Sequence, residues 1–108
     1  MPNVKIYVER HLLPRKGETL IANLTALRRM ICAELSVQPA ACHLAVIGVD
    51  GIADQPALNV EISVLQRPDR TRAVIENLCL LIQKWMFDLT DERAAIRITV
   101  MSAETYIV

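Results

Sequence analysis

The chain has 108 residues, a length that suits one domain with one modest core. Its 12 Lys and Arg residues balance its 12 Asp and Glu residues, so no net charge draws it toward nucleic acid or a membrane surface. Aromatic residues are only 4% of the sequence, which argues against a base-stacking platform. We therefore expect a single domain over residues 1–108, with neither nucleic acid nor a membrane as partner.

The first half of the chain predicts a strand, a helix and a second strand. Apolar and polar residues alternate over Val4–Val8, as in a strand with one buried face. A polar stretch broken by Pro14 follows, and then an amphipathic helix of about four turns that Ser36 and Pro39 end. Its apolar stripe is Leu20, Leu24, Leu27, Ile31 and Leu35. The apolar run Leu44–Val49 predicts a strand covered on both faces.

The second half repeats this order. Leu58–Val64 alternates as a half-buried strand, and a helical stripe runs from Val74 to Leu89. Alternation returns over Ile96–Met101 in a last strand. The apolar tail Tyr106–Val108 is expected to pair with something, such as a neighbouring subunit.

Together these elements predict an α/β (α+β) fold with two βαβ units. They form a four-stranded sheet with both helices on one face. The other face is expected to carry mixed polar side chains, namely Lys5, Tyr7, Glu61, Ser63, Arg97 and Thr99. Hydrophobic residues are 53% of the sequence, more than so small a domain can bury, and a subunit interface would cover the surplus.

The three cysteines form no CxxC pair and lie far apart in the sequence. Cys32, Cys42 and Cys79 are therefore expected to be free, mostly buried thiols in a reducing cytoplasm, with no disulfide framework or structural zinc. The N-terminus lacks the apolar run and cleavage site of a signal peptide, and no apolar stretch approaches the ~18 residues of a membrane span. We expect a cytoplasmic protein.

A proline directly after Met1, a leading strand and two βαβ units in one short chain together resemble the tautomerase superfamily. This superfamily includes macrophage migration inhibitory factor (MIF) and carboxymethyl-hydroxymuconate isomerase, and the chain resembles its double-length form. Lys16–Ile21 is similar to the start of the first family helix, and Gln55–Leu58 to the entry into the third strand. The resemblance implies a MIF-like fold and a homotrimer. No cofactor or metal is expected, because phosphate-loop, metal-ligand and nucleophile motifs are not apparent in the sequence.

The resemblance also implies a role for Pro2 as catalytic base. Once Met1 is removed, proline presents a secondary amine, whose pKa burial and nearby cations lower toward neutrality. Such an amine can take a proton beside a carbonyl and return it elsewhere. If Met1 stays attached, the Pro2 nitrogen is a tertiary amide without basicity. The alternative is that Pro2 is an ordinary second residue.

Arginines between the third strand and the second helix predict an anion site. Arg67 occupies the place that corresponds, in this half of the chain, to the family's substrate-binding arginine. Asp69 is predicted to cap the helix, with Arg70 and Arg72 in its first turn, where the helix dipole disfavours cations. A carboxylate could bind there. The alternative is that these side chains simply point into solvent.

Other positions depart from the family pattern. Leu12 stands where the first half would carry its arginine, and His43 lies near the family's second arginine position. A histidine there is also compatible with a structural role. Arg97 corresponds to a polar active-site position of the MIF branch, but Ala95 replaces the aromatic residue expected two positions earlier.

We therefore predict a tautomerase or isomerase that moves a proton on a small carboxylated keto or enol compound. Pro2 is the candidate base, and the candidate substrate-binding residues are Arg67, Arg97, Arg70 and His43. The alternative is a binding or structural protein that has the fold without the chemistry.

Overall fold

The computed structural model describes residues 2–107, and its elements follow the predicted order. The strands in this range are β1 (Asn3–Glu9), β2 (His43–Val49), β3 (Leu58–Leu65) and β4 (Ala94–Met101). The helices are α1 (Glu18–Ala22), α2 (Leu24–Leu35) and α3 (Arg72–Thr90). The predictions about Met1 and Val108 lie outside the described residues.

The four strands form one mixed sheet in the order β2-β1-β3-β4. β1 pairs with β2 in parallel, β3 pairs with β4 in parallel, and the two central strands β1 and β3 are antiparallel. The sheet thus consists of two βαβ units joined at their first strands. This confirms the predicted α+β fold class with a four-stranded sheet.

One face of the sheet and the apolar stripes of the helices form the core. The even-numbered positions of β1 and β3, from Val4 to Val8 and from Leu58 to Val64, are fully or almost fully buried. The helices contribute Leu20, Leu27, Ile31, Leu78, Ile82 and Met86 to the same cluster. Full burial of one such side chain stabilises the fold by roughly 1.5–3 kcal/mol. The opposite side, which we call the open face, carries the odd-numbered positions.

The first helix differs from its prediction, because it is broken at Asn23. The side-chain amide of Asn23 donates to the Thr19 carbonyl oxygen at 2.8 Å, and its own backbone N–H donates to Leu20 at 3.0 Å. An asparagine that competes for backbone acceptors in this way interrupts the regular helical ladder. The stretch around Pro14 is also more regular than predicted, since Arg10–Leu12 forms a 3-10 turn and Leu13–Gly17 a π turn.

The prediction that β2 is covered on both faces is wrong for the single chain. All residues of β2 except exposed His43 are only partly buried. β2 is an outer strand of the sheet, and α2 packs against it. The predicted end of the first helix is correct, because Ser36 takes the left-handed conformation with φ 55° just after α2.

The thiols are free, as predicted; Cys32 and Cys42 are buried, and Cys79 is partly buried. Burial and the neighbouring Cys32 thiol raise the pKa of Cys42 to about 12. No helix within residues 2–107 is both long and apolar enough to cross a bilayer.

Candidate functional site

Pro2 lies at the end of the sheet where β1 and β2 begin and β3 and β4 finish. We call this the Pro2 end and the opposite one the far end. Pro2 is buried, and its carbonyl oxygen accepts a hydrogen bond from the His43 backbone N–H at 3.0 Å. Asn3 pairs with both His43 and Ser63, which fixes Pro2 beside the first residue of β2 and the last residues of β3.

The segment Gln66–Thr71, which we call the arginine loop, leaves β3 at the same Pro2 end. The Gln66 backbone N–H donates to Met101 at 2.9 Å and so ties the loop to the last residue of β4. The Arg70 backbone N–H donates to Arg67 at 3.0 Å, which closes a tight turn through Pro68. Arg67 is four residues past Ser63, and an extended chain of that length spans at most about 14 Å. Pro2 and Arg67 of the same chain thus lie at the same end of the sheet.

The guanidinium of Arg67 is already paired with a carboxylate of the same loop. Its Nε donates to Asp69 Oδ1 at 3.1 Å and its Nη2 to Asp69 Oδ2 at 2.9 Å. Two parallel hydrogen bonds of this kind are the preferred arrangement of an arginine with a carboxylate. The side chains of Arg67 and Asp69 are 42% and 48% exposed, so both remain accessible from solvent.

Arg70 is the buried arginine of the loop. The residue is only 8% exposed, and its Nη1 donates to the Leu65 carbonyl oxygen at the end of β3. Its buried Nε has no hydrogen-bond partner among the described residues. Burial first, and then the neighbouring Arg67 charge, lower the pKa of Arg70, while Asp69 opposes this shift. The three charged side chains therefore form one interacting group.

The prediction that Asp69 caps α3 is wrong. Thr71 is the capping residue, and its hydroxyl accepts a hydrogen bond from the Val74 backbone N–H at 3.3 Å. Asp69 instead turns its carboxylate to Arg67. Arg70 precedes the helix rather than lying in its first turn, and Arg72, which does begin α3, pairs with Glu76 at 2.7 Å one turn later.

The other candidate residues lie in different places. His43 begins β2 at the Pro2 end, where it is exposed. Arg97 lies in the middle of β4 and pairs in register with Glu61, which in turn pairs with Lys5. It projects from the open face of β4, which β3 separates from β1.

The larger clefts lie at the far end of the sheet. One of about 510 Å³ is lined by residues that include His11, Ile52 and Arg93, and another of about 410 Å³ by residues that include His11 and Lys16. Near the start of β2, a cleft beside Leu44 and Arg28 has only about 160 Å³. Among these clefts, the one near the Pro2 end is the smallest.

Two features of the arginine loop are not predicted from the sequence. One is the pairing of Arg67 with Asp69, although opposite charges two residues apart around Pro68 are a signal for it. The other is the burial of Arg70, for which the charge pattern alone contains no signal.

Known proteins are similar to this chain in structure alone. No family model matches the sequence, and neither does any curated protein. A protein of unknown function from Vibrio cholerae aligns with a TM-score of 0.75 and 17% identity over 99% of this chain and 83% of its own. A macrophage migration inhibitory factor-like protein from Entamoeba histolytica aligns with a TM-score of 0.73 and 11% identity over 99% of this chain and 94% of its own.

A third similar structure is a fused 4-OT that forms a symmetric trimer. Its TM-score is 0.73, with 17% identity over 98% of this chain and 92% of that one. A member of the cis-3-chloroacrylic acid dehalogenase family also aligns, with a TM-score of 0.68 and 15% identity over 98% of this chain and 79% of its own. At such identities the likeness concerns the fold.

Proposed function

Because the chain has the fold of the tautomerase superfamily, we propose that it is an enzyme that moves a proton on a small carboxylated keto or enol compound. Pro2 would be its general base. The observation that carries this proposal is that Pro2 and the arginine loop share one end of the sheet. An amine base beside a carboxylate-binding guanidinium is what such a proton transfer requires.

The steps follow from the properties of these groups. With Met1 removed, the secondary amine of Pro2 would be neutral in a useful fraction, because burial and nearby guanidinium charges both disfavour its cation. Arg67 and Arg70 would hold the substrate carboxylate. That anchor would keep the carbon bearing the transferred proton within reach of the amine, which lowers the entropic part of the barrier. Pro2 would then return the proton to another atom of the substrate.

A homotrimer belongs to the same proposal. The similar fused 4-OT is a symmetric trimer, and both outer strands of this sheet lack a second neighbour within residues 2–107. A neighbouring subunit would also supply walls for the Pro2 end. In that arrangement, Arg97 and His43 would be the residues to examine for contacts with substrate across the boundary.

One observation favours the second candidate, a binding or structural protein without catalysis. Pro2 is buried already in the single chain, whereas a base must be reached by its substrate. The two functions differ in what they require of the Pro2 nitrogen. Only the enzyme needs it free and accessible.

Turnover of a 2-hydroxydienoate probe distinguishes the enzyme from the protein without catalysis. We expect ketonisation by the wild-type protein, and a loss of roughly 10²–10⁴-fold in kcat for Pro2→Ala with little change in KM. Arg67→Ala should instead raise KM and lower kcat together, because the arginine both binds and orients the carboxylate. An exposed arginine at the far end, Arg93, provides the control, and Arg93→Ala should leave both constants unchanged. Equal activity of wild type and Pro2→Ala would refute Pro2 as the base, and absence of turnover by the wild type would favour the protein without catalysis.

A further inference from the structure

We propose that Asp69 competes with the substrate for Arg67 and thereby makes the site selective for compounds with a single carboxylate. The inference rests on the proposed function in one respect, since it assumes that a carboxylate binds at the arginine loop. It adds a residue that sets which anions are accepted.

The first support is that Asp69 occupies the hydrogen-bonding positions that an incoming carboxylate needs. Both Asp69 oxygens accept from the Arg67 fork, at 2.9 and 3.1 Å. A substrate carboxylate that binds the same Nε and Nη2 atoms must displace Asp69. Because the pair is about half exposed, water can solvate the released carboxylate and the exchange is feasible.

The second support is that Arg70 holds a second positive charge in a buried position close to Arg67. It is buried and held by its hydrogen bond to the Leu65 carbonyl, and its Nε lacks a partner among residues 2–107. A buried donor without an acceptor is unfavourable, so an anion that accepts from Arg70 Nε gains a hydrogen bond without displacing another acceptor. Arg70 thus favours an anion in the loop, whereas Asp69 opposes one.

The charge balance then selects the substrate class. Arg67 and Arg70 contribute two positive charges and Asp69 one negative charge, while Arg72 is turned to Glu76. The loop therefore presents one net positive charge, which one carboxylate neutralises. A diacid would bring two negative charges to a loop that already contains the Asp69 carboxylate, and like charges repel.

The opposite role for Asp69 makes the opposite prediction. A carboxylate that pairs with an arginine can also hold its guanidinium in the orientation that a ligand needs. As a positioning residue, Asp69 would strengthen anion binding, and its neutralisation would weaken it. The sign of the change on neutralisation distinguishes competition from positioning.

NMR titration with acrylate and fumarate tests the proposal, since these acids differ by one carboxylate and binding can be measured without turnover. We expect the wild type to bind acrylate at least as tightly as fumarate. Asp69→Asn should lower the Kd for acrylate about threefold to tenfold and the Kd for fumarate by a larger factor. The reason is that each of the two charges of a dianion is repelled by the Asp69 carboxylate, and both repulsions are lost. Asp54→Asn, which removes an exposed carboxylate in the loop between β2 and β3, should change neither affinity.

Two further variants keep the outcome decisive. Asp69→Glu retains the charge and should keep the preference for acrylate. When Asp69→Asn is added to Arg67→Ala, the increase in affinity for acrylate should be smaller than in the wild type. The Arg67 guanidinium that Asp69 blocks is then absent. Weaker or unchanged binding by a folded Asp69→Asn variant overturns the competition while leaving the proposed enzyme intact. Absence of binding by both the wild type and Asp69→Asn overturns the anion site itself.

Discussion

At the scale of the residue, the buried thiols show how strongly the core controls the reactivity of a side chain. Cys42 is 1% exposed, and burial together with the nearby Cys32 thiol raises its pKa to about 12. Burial first and the nearby Glu76 charge second also raise the pKa of the partly buried Cys79. The thiolate is the reacting form of cysteine, so both effects suppress reaction at neutral pH.

Thiol titration of the native protein at pH 8 should therefore find Cys32 and Cys42 unreactive and Cys79 slow. Because the pKa of Cys42 is raised, its thiolate fraction grows about tenfold with each pH unit until about pH 12, and its reaction should accelerate in the same way. Cys79→Ala is the matched control, since it should remove the residual native signal. Three rapidly reacting groups in the folded protein at pH 8 would contradict the buried thiols.

At the scale of the element, α3 depends on a cap that sequence reasoning assigned to the wrong residue. The Thr71 hydroxyl accepts from the Val74 backbone N–H and so satisfies one of the free donors at the helix start. α3 carries Leu78, Ile82 and Met86 into the core, so a weakened first turn affects packing as well as the helix.

Replacement of Thr71 by Ala should lower the free energy of unfolding by about 1 kcal/mol, the usual value of a lost cap. Urea denaturation at one fixed protein concentration measures it, because association would make the midpoint depend on concentration. Thr25→Ala is the control. Thr25 is exposed in α2 and alanine is the better helix former, so this change should not lower the free energy of unfolding. A Thr71→Ala variant as stable as the wild type would show that the cap contributes nothing.

The strands could be predicted closely and the helix details less well, for physical reasons. Alternation is a direct consequence of one buried sheet face, so β3 was found to within one residue of its end at Leu65. The break at Asn23 depends on a single side-chain hydrogen bond, and periodicity does not register it. In the arginine loop, the residue types suggested an anion site, but which arginine is buried follows from tertiary packing alone.

At the scale of the whole molecule, apolar surface remains after the core is complete. Large hydrophobic side chains stay exposed on the helices and near the C-terminus, among them Leu80 at 64% and Ile107 at 94%. Within residues 2–107, the outer strands β2 and β4 also have hydrogen-bonding edges without a neighbouring strand, which proteins normally cover. The apolar surplus predicted from composition is thus visible on the folded chain.

We predict that association into a homotrimer covers this surface. Light scattering coupled to size exclusion should give three times the mass of the chain at micromolar concentration. Val100 in the outer strand β4 is 44% exposed, and Val100→Lys should shift the equilibrium toward smaller species by burying a charge. Thr99→Lys, two positions from Arg97 on the open face, tests whether that face is also covered. A stable monomer across the micromolar range would contradict the trimer.

The central claim is that Pro2 is a catalytic base, and it requires that the proline nitrogen be the chain terminus. Intact-mass spectrometry of the untagged protein, expressed from its own start codon and combined with the turnover assay on the same sample, tests this most directly. If Pro2 is the base, the fraction that carries activity should have a mass smaller than that of the 108-residue chain by one methionine residue. Retention of Met1 in every molecule would make the Pro2 nitrogen an amide without basicity and would contradict the claim.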